Sequence, residues 1–231
     1  MTPDLEEVRP ARRLLRVGRL PDPWAWPAWE YAGADGTFGN RWDDPQDVYR
    51  VLYACTDLQG GFVEVLSRFR PDPAVVAGLR AIEGADEGEP LPPGIVPRSF
   101  LERRCIGEAA VPGVFADIGT AASLAHLHVA LASRLIHYGF AELDAAAIRH
   151  SAPRQFTQEI SRYVYERSND RGEPKFRGIE YESRFGDDFH NWAIFERVGE
   201  TQAVVNPSAA AIRPDDPALN AALALLGVTL R

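Results

Sequence analysis

The chain has 231 residues, of which 45% are hydrophobic and 25% are charged, a composition typical of a folded globular protein. Its 33 Asp and Glu residues outnumber 25 Lys and Arg residues, and the net charge of −8 argues against direct nucleic-acid binding. No apolar run approaches the roughly 20 residues of a membrane helix, and two cysteines are too few for a disulfide framework. The acidic first residues are unlike a secretory signal. We therefore expect a cytoplasmic, single-domain protein without a membrane partner.

The first part of the chain alternates strand and loop patterns. Residues 14–17 predict a short strand after a loosely ordered lead-in at residues 1–13, and residues 48–55, VYRVLYAC, predict a longer strand. Between them, residues 21–39 hold three Trp among Pro and Gly, so we expect a structured loop without regular structure. The aromatic residues of this loop are either a hydrophobic plug or a stacking surface for a flat ligand.

An amphipathic helix follows the second of these strands. Apolar residues recur at helical spacing from Leu58 to Phe69, Asp57 can cap the start, and Pro71 ends the helix. Glu64 falls off the apolar face of this helix. It is therefore either a solvated surface carboxylate or a carboxylate that faces a cleft beside the preceding strand.

The second part of the chain mixes further helices and strands. The acidic, Pro- and Gly-rich residues 84–97 predict a long surface loop. No repeat or linker divides the chain, so we expect a single α+β unit. The other expected elements are strands at residues 100–106, 111–118, 178–183 and 192–198, a turn at 186–190, and helices at 121–138, 144–167 (interrupted by Pro153) and 217–226.

The common nucleotide and metal motifs are missing from the sequence. It contains neither a GxxxxGK[ST] phosphate loop nor a GxGxxG run after a strand. His126 and His128 stand two residues apart and would point in different directions on a helix, so they do not form a metal-binding pair. We expect no bound metal and no cofactor.

Four polar residues stand at positions where chemistry is common. Arg41 lies in the run TFGNRWD at the end of the aromatic loop, and Tyr53 lies near the end of a predicted strand. Glu64 lies on the next helix, and Ser183 ends the segment GIEYES. Each has an ordinary structural explanation too: a surface ion pair for Arg41, a core position for Tyr53, a turn for Ser183.

At these residues the chain resembles the RES domain, a family named for an Arg, a Glu and a Ser. The resemblance is carried by FGNRWDDPQDVYRVLYACTDLQGGFVEVL, by TQEISRYVYE, and by GIEYESR followed by NWAIFE. It covers about residues 14–198, leaving 1–13 as a lead-in and 199–231 as a C-terminal extension with a closing helix. Asn40 and Asp43 depart from the family's usual Gly and Asn.

The resemblance implies a fold similar to that of ADP-ribosyltransferases, with split small β-sheets surrounded by helices. It also implies a toxin that cleaves the nicotinamide–ribose bond of NAD+ by phosphorolysis or hydrolysis and is held inactive by a protein antitoxin. Arg41 and Glu64 would be catalytic, and Arg41, Tyr53 and Ser183 would bind NAD+. Inorganic phosphate would be a co-substrate of the phosphorolysis. The alternatives are an ADP-ribosyltransferase acting on a protein target and an inactive RES-like binding module.

Overall fold

The computed structural model describes residues 3–34, 36–72, 94–149 and 153–231. The strands within these ranges are β1 (Glu6–Val8), β2 (Leu14–Arg19), β3 (Val51–Cys55), β4 (Ile95–Val96), β5 (Arg104–Ala110), β6 (Phe115–Asp117), β7 (Gly178–Ser183), β8 (Gly186–Phe195), β9 (Val205–Ala211) and β10 (Thr229–Leu230). The helices are α1 (Leu58–Leu66), α2 (Arg98–Glu102), α3 (Ala121–Ala130), α4 (Ala132–His137), α5 (Ala145–Arg149), α6 (Arg154–Glu166) and α7 (Pro217–Leu226). Short 3₁₀ turns occur at Trp29–Tyr31 and Ser67–Phe69.

Eight of the strands form one mixed sheet in the order β1-β6-β7-β8-β3-β2-β5-β9. Strands β6 and β7 are parallel, and the other neighbouring pairs are antiparallel. Strands β4 and β10 pair in parallel as a separate two-stranded sheet. The described residues thus form a mixed α+β single domain, as the sequence predicts.

The large sheet is almost divided between β2 and β3. These two strands share one paired position, Leu15 with Cys55. By contrast, β3 pairs with β8 over five residues and β2 pairs with β5 over six. The sheet therefore consists of a five-stranded half, β1-β6-β7-β8-β3, and a three-stranded half, β2-β5-β9.

Each half of the sheet has its own hydrophobic core on the helical side. Helices α3 to α6 pack against β7, β8 and β3 through buried residues such as Phe156 and Ile160. Helices α1, α2 and α7 pack against β2 and β5 through residues such as Phe62 and Leu219. A third cluster joins the two halves on the opposite face and includes Trp24 of the aromatic loop. Trp24 is thus part of a hydrophobic plug, one of the two expectations for that loop.

Several predicted elements are confirmed with small shifts in their bounds. The strand at residues 14–17 extends to Arg19, that at 48–55 begins at Val51, and the helix at 217–226 has the predicted bounds. The predicted helical region 144–167 contains α5 and α6, and residues 150–152 between them lie outside the described residues. None of the described helices has the length and apolar character needed to cross a membrane.

Other predicted elements were wrong, each for a local reason. Residues 100–106 are not one strand, because α2 begins after Pro97 and β5 starts only at Arg104. The helix at 121–138 is two helices, because Leu131 adopts φ −109° and ψ 19° although no Pro or Gly marks the break. The turn predicted at 186–190 is the exposed beginning of β8, whose polar residues gave it the character of a loop.

The two ends of the chain also contribute to the sheet. Residues 6–8, expected within a loosely ordered lead-in, form β1 and pair with β6. Residues 205–211 add β9 beside β5. Of the surface loop predicted at residues 84–97, residues 84–93 lie outside the described residues, whereas Ile95 and Val96 are buried in β4.

Candidate functional site

A cavity of about 470 Å³ lies where the sheet divides, a volume within the range of small-molecule sites. Its wall includes residues of β2 and β3 on the two sides of the division, residues of α1, and the end of the aromatic loop. Arg41, Tyr53 and Glu64 all line it. Ser183 does not, but its hydroxyl contacts Glu64 directly. The structure therefore brings together the four residues that the sequence singled out.

Arg41 is held by a loop that is clamped from several sides. The main-chain carbonyls of Asn40 and Trp42 accept hydrogen bonds from Gln158 and Ser161 of α6, at 3.1 and 2.6 Å. The side chain of Trp42 is fully buried and anchors the loop in the core. The main chain on both sides of Arg41 is thus held by α6, a helix more than a hundred residues further along the chain.

The guanidinium of Arg41 has spare hydrogen-bonding capacity. It stacks near the Tyr181 ring, with 5.5 Å between Cζ and the ring centroid, and Nη2 donates a long 3.3 Å bond to the Arg149 carbonyl. Nη1 is buried and has no hydrogen-bond partner among the described residues. A buried charged donor without a partner is costly, so this group is suited to an anionic ligand.

Tyr53 lines the cavity, and its hydroxyl is hydrogen-bonded within the protein. The hydroxyl donates to Asp43 Oδ1 at 3.0 Å and accepts from the Trp42 amide at 3.0 Å. Asp43 is buried, and burial raises the pKa of its carboxyl group. Because Asp43 also accepts from the Asn40 amide at 2.6 Å, it joins Tyr53 to the loop that carries Arg41. Asn40 and Asp43, the two residues that differ from the usual pattern of the family, therefore belong to one hydrogen-bonded unit.

Glu64 is placed by the close approach of α1 to β3. A Cβ atom added to Gly61 would lie 2.6 Å from the Cys55 sulfur, so only glycine allows this approach. Asp57 caps the helix by accepting from the Gly60 amide at 3.1 Å, which confirms the predicted cap. The helix start thus sets Glu64 against the edge of β3.

The carboxylate of Glu64 is then held by two donors from the neighbouring strands. Ser183 Oγ donates to Glu64 Oε1 at 2.6 Å, and Asn191 Nδ2 donates to the same oxygen at 3.3 Å. Both donors bind Oε1, and no described residue donates to Oε2. Ser183 therefore positions the carboxylate, whereas the resemblance to the family implies that it contacts the substrate.

The charges of both Arg41 and Glu64 affect the pKa of the Tyr181 phenol. Burial raises the pKa of its phenol, the negative charge of Glu64 raises it further, and the positive charge of Arg41 lowers it. One buried ring thus lies within the electric field of both Arg41 and Glu64. Arg41, Glu64 and Tyr181 all line the cavity.

The cavity has an excess of positive charge although the chain as a whole is acidic. Two carboxylates line it, Asp43 and Glu64. Five guanidinium groups line it as well, those of Arg16, Arg41, Arg68, Arg154 and Arg184. None of the five forms an ion pair with a described carboxylate. Such a cavity concentrates anions and suits a ligand that carries phosphate.

Arg16 explains part of the division of the sheet. Its guanidinium donates to the main-chain carbonyls of Pro23 and Tyr53, so a side chain satisfies a β3 carbonyl where the ladder with β2 is missing. Burial lowers the pKa of Arg16 to about 10, and the group stays charged at neutral pH. The sequence analysis missed this residue, although an Arg within the apolar strand LLRVGR is a signal that could have identified it.

Three other arginines of the cavity and Asn191 also escaped the sequence analysis. Arg68, Arg154 and Arg184 stand on exposed element ends, where an arginine is ordinary. Asn191 is buried within the apolar run NWAIF, and a polar residue at such a position was a usable signal. Within the described part of the chain, no group of three or more His, Cys, Asp or Glu residues is arranged to hold a metal ion.

Comparison of the sequence with protein-family models gave no matching family, and comparison with curated proteins gave no match either.

Proposed function

We propose that this protein is a RES-domain enzyme that cleaves the nicotinamide–ribose bond of NAD+. The observation that supports the proposal most is the shared cavity of Arg41 and Glu64, in which an unpaired guanidinium and a positioned carboxylate meet. These two residues lie 23 positions apart, on a loop and a helix, and the motif that suggested them contains no information about a cavity. Their convergence is what a dinucleotide site needs.

The division of the sheet supports a fold similar to that of ADP-ribosyltransferases. That resemblance implies two small sheets with a cleft between them, and here the two halves share a single paired position beside the cavity. A ligand in this cavity would contact β2 and β3 together. The division would thus provide the NAD+ cleft of the enzyme.

The chemistry requires stabilisation of positive charge on the sugar. Nicotinamide leaves NAD+ as a neutral molecule and needs little help from a general acid, unlike the leaving group of an ordinary glycoside. The ribose becomes cationic as the bond breaks, and the Glu64 carboxylate stabilises that charge electrostatically. Its Oε2 atom remains for the ribose hydroxyls or the incoming nucleophile, because Ser183 and Asn191 both bind Oε1.

Arg41 holds the other charged part of the substrate. Its planar guanidinium matches two phosphate oxygens at once, and the unpaired Nη1 offers one of the donors. Tyr53 lines the cavity, and its ring would stack on a flat ring of the dinucleotide, whereas its hydroxyl maintains the Arg41 loop. A cation on the diphosphate and a carboxylate on the ribose align the bond to be broken.

The test is incubation of the purified protein with NAD+, followed by mass analysis of the products. We expect nicotinamide together with ADP-ribose or its 1″-phosphate. Label from NAD+ that stays on a macromolecule would instead identify a protein ADP-ribosyltransferase, and unchanged NAD+ would identify an inactive binding module. Glu64→Gln is the matched control, because it removes the charge and keeps the size of the side chain.

The toxin role and a protein antitoxin as partner are part of the same proposal. Depletion of cellular NAD+ would arrest growth, and an inhibitor would be needed to prevent it. Expression of the wild-type chain alone should therefore stop growth and lower the NAD+ content of the cells, while Arg41→Ala should be tolerated. Growth arrest at normal NAD+ content would contradict this role.

A further inference from the structure

The aromatic loop contributes a wall of the cavity that the proposed reaction does not use. Pro27 and Phe38 of this loop line the cavity together with Arg154, the first residue of α6. The Phe38 ring packs against Trp29, with 5.6 Å between the ring centroids. Trp24 is buried in the core, whereas Phe38 is only half-buried. Phe38 therefore offers the stacking surface for a flat ligand that was the other expectation for this loop.

One face of α6 holds this wall in place. Arg154 Nη1 donates to the main-chain carbonyl of Gly39, the residue after Phe38, at 2.8 Å. Gln158 and Ser161, four and seven residues further along the helix, donate to other carbonyls of the same loop. Residues at this spacing lie on one side of a helix. The Arg154 guanidinium is thus bonded to the main chain one residue from Phe38.

Arg154 keeps most of its hydrogen-bonding capacity after this contact. A guanidinium has five N–H donors, and among the described residues only Nη1 of Arg154 is used. The side chain is exposed, and no described carboxylate forms an ion pair with it. The remaining donors of Arg154 are therefore available to an anionic group of a ligand.

Asp43, the carboxylate on this side of the cavity, is already engaged within the protein. Burial raises its pKa, and the positive charge of Arg154 offsets part of that effect, so the two groups are close. Asp43 Oδ1 accepts from the Tyr53 hydroxyl at 3.0 Å, and Oδ2 accepts from the Asn40 amide at 2.6 Å. In dinucleotide sites a carboxylate binds the adenosine 2′-hydroxyl, whereas an arginine accommodates a 2′-phosphate. This wall offers a ribose an available arginine and an engaged carboxylate, which favours the phosphate.

The charge of the cavity also favours a ligand more anionic than NAD+. The guanidinium groups that line it outnumber the carboxylates by five to two. NAD+ has a diphosphate with two negative charges and a pyridinium with one positive charge, so its net charge is a single negative one. A phosphate on the 2′-hydroxyl adds about 1.5–2 negative charges at neutral pH. The 2′-phosphorylated dinucleotide therefore balances the cavity better than NAD+ does.

The position of Arg41 relates this wall to the adenosine half of the substrate. Arg41 is assigned to the diphosphate and stands three residues after Phe38 on the same loop. The adenosine is attached directly to the diphosphate, on the side away from the nicotinamide ribose. Glu64 is assigned to that ribose, so the adenosine extends from Arg41 towards Phe38 and Arg154.

We propose that Phe38 and Arg154 form an adenosine subsite, in which Phe38 stacks on the base and Arg154 binds a phosphate on the ribose 2′-hydroxyl. This inference rests on the proposed function and names its substrate, because it makes NADP+ the preferred dinucleotide over NAD+. The dinucleotide has two flat rings, and Tyr53 stacks on one of them. Phe38 provides the surface for the other.

The test compares cleavage of the two dinucleotides. The purified protein is incubated with NADP+ and with NAD+ in separate reactions, and kcat/KM for each is measured from nicotinamide release. We expect kcat/KM to be at least roughly tenfold higher for NADP+, the effect of a charge-assisted hydrogen bond. Arg154→Gln should bring the ratio of the two constants close to one. A loss shared equally by both substrates would show that Arg154 only supports the loop, and would overturn the inference.

Arg184→Gln is the matched control. Arg184 also lines the cavity and is exposed, but it directly follows Ser183, whose hydroxyl contacts Glu64 at the reacting end. This variant removes the same charge from the cavity and should leave the ratio of NADP+ to NAD+ cleavage unchanged. An equal fall of the ratio in the Arg154 and Arg184 variants would overturn the subsite, because overall charge would then set the preference.

Binding of adenosine fragments separates this inference from the proposed function. Calorimetry should show that the wild-type protein binds adenosine 2′,5′-diphosphate at least roughly tenfold more tightly than adenosine 5′-phosphate, and that Arg154→Gln removes the difference. Phe38→Ala should weaken binding of both fragments, and Phe38→Tyr should retain it. These results would support the subsite even if no dinucleotide were cleaved. Equal binding of the two fragments to the wild type, or no binding of either, would overturn it even if NAD+ were hydrolysed.

Discussion

Replacement of Ser183 by Ala tests whether the Glu64 carboxylate has to be held in place. The wild-type hydroxyl donates a 2.6 Å bond to Glu64 Oε1, and it also accepts from the Phe185 amide at 3.1 Å. In the variant, the carboxylate keeps only the 3.3 Å contact with Asn191. A hydrogen bond to a charged group contributes about 1.5–3 kcal/mol, so its loss should lower the rate of NAD+ cleavage roughly 10- to 150-fold.

The loss should fall on kcat rather than KM. In the proposed mechanism Glu64 acts on charge that develops as the bond breaks, and an interaction made only in the transition state lowers kcat and kcat/KM together when it is removed. Steady-state kinetics of nicotinamide release measure both constants. If KM alone rose and kcat were unchanged, Ser183 would bind substrate directly and the positioning role would be refuted.

Two further variants separate positioning from general structural damage. Ser67→Ala is the matched control, because the Ser67 hydroxyl donates at 2.9 Å to the main-chain carbonyl of Glu64 and not to its carboxylate. It should change kcat far less than Ser183→Ala. Ser183→Thr keeps the hydroxyl and should restore most of kcat, and equal loss in Ser183→Thr and Ser183→Ala would also contradict the argument.

Two predictions concern stability. Tyr53→Phe removes a donor to the buried Asp43 and leaves the Trp42 amide unpaired. The free energy of unfolding, measured by denaturant titration, should therefore fall by about 1–3 kcal/mol. Unchanged stability with a raised KM would show instead that the hydroxyl binds substrate. Glu180 has a hydrogen bond of 2.6 Å to His190, and burial raises its pKa to about 7 from 4.5. The folded state therefore holds a proton that the unfolded state has released, and stability should fall by up to about 3 kcal/mol as the pH rises from about 5 to about 8. Glu180→Gln should flatten this dependence, and equal slopes in the two proteins would show that other groups cause it.

The local parts of the site could be predicted from the sequence. The helix that carries Glu64 follows from apolar spacing and its cap from Asp57, whereas its end was predicted too late, because α1 stops at Leu66 and a 3₁₀ turn occupies Ser67–Phe69 before Pro71. The side of the helix on which Glu64 lies also follows from that spacing. Arg41 lies in the run TFGNRWD, whose Gly and aromatic residues are typical of a loop. This loop precedes the strand predicted at residues 48–55. All of these depend on residues close together in the chain.

The contacts between distant parts of the chain could not be predicted in this way. Ser183 and Asn191 reach Glu64 only because β7 and β8 pair beside β3, a register that apolar alternation does not specify. The division of the sheet depends on Arg16 satisfying a carbonyl of Tyr53 in place of a neighbouring strand. Pairing between strands is decided by packing of the whole core, so a local pattern does not contain it.

The most direct test of the central claim is a crystal structure of the Glu64→Gln variant with NAD+ bound. The cavity at the division of the sheet should hold the dinucleotide, with the diphosphate on Arg41 and the nicotinamide ribose beside position 64. Dinucleotide bound elsewhere on the protein, or a cavity without it at saturating NAD+, would contradict the claim.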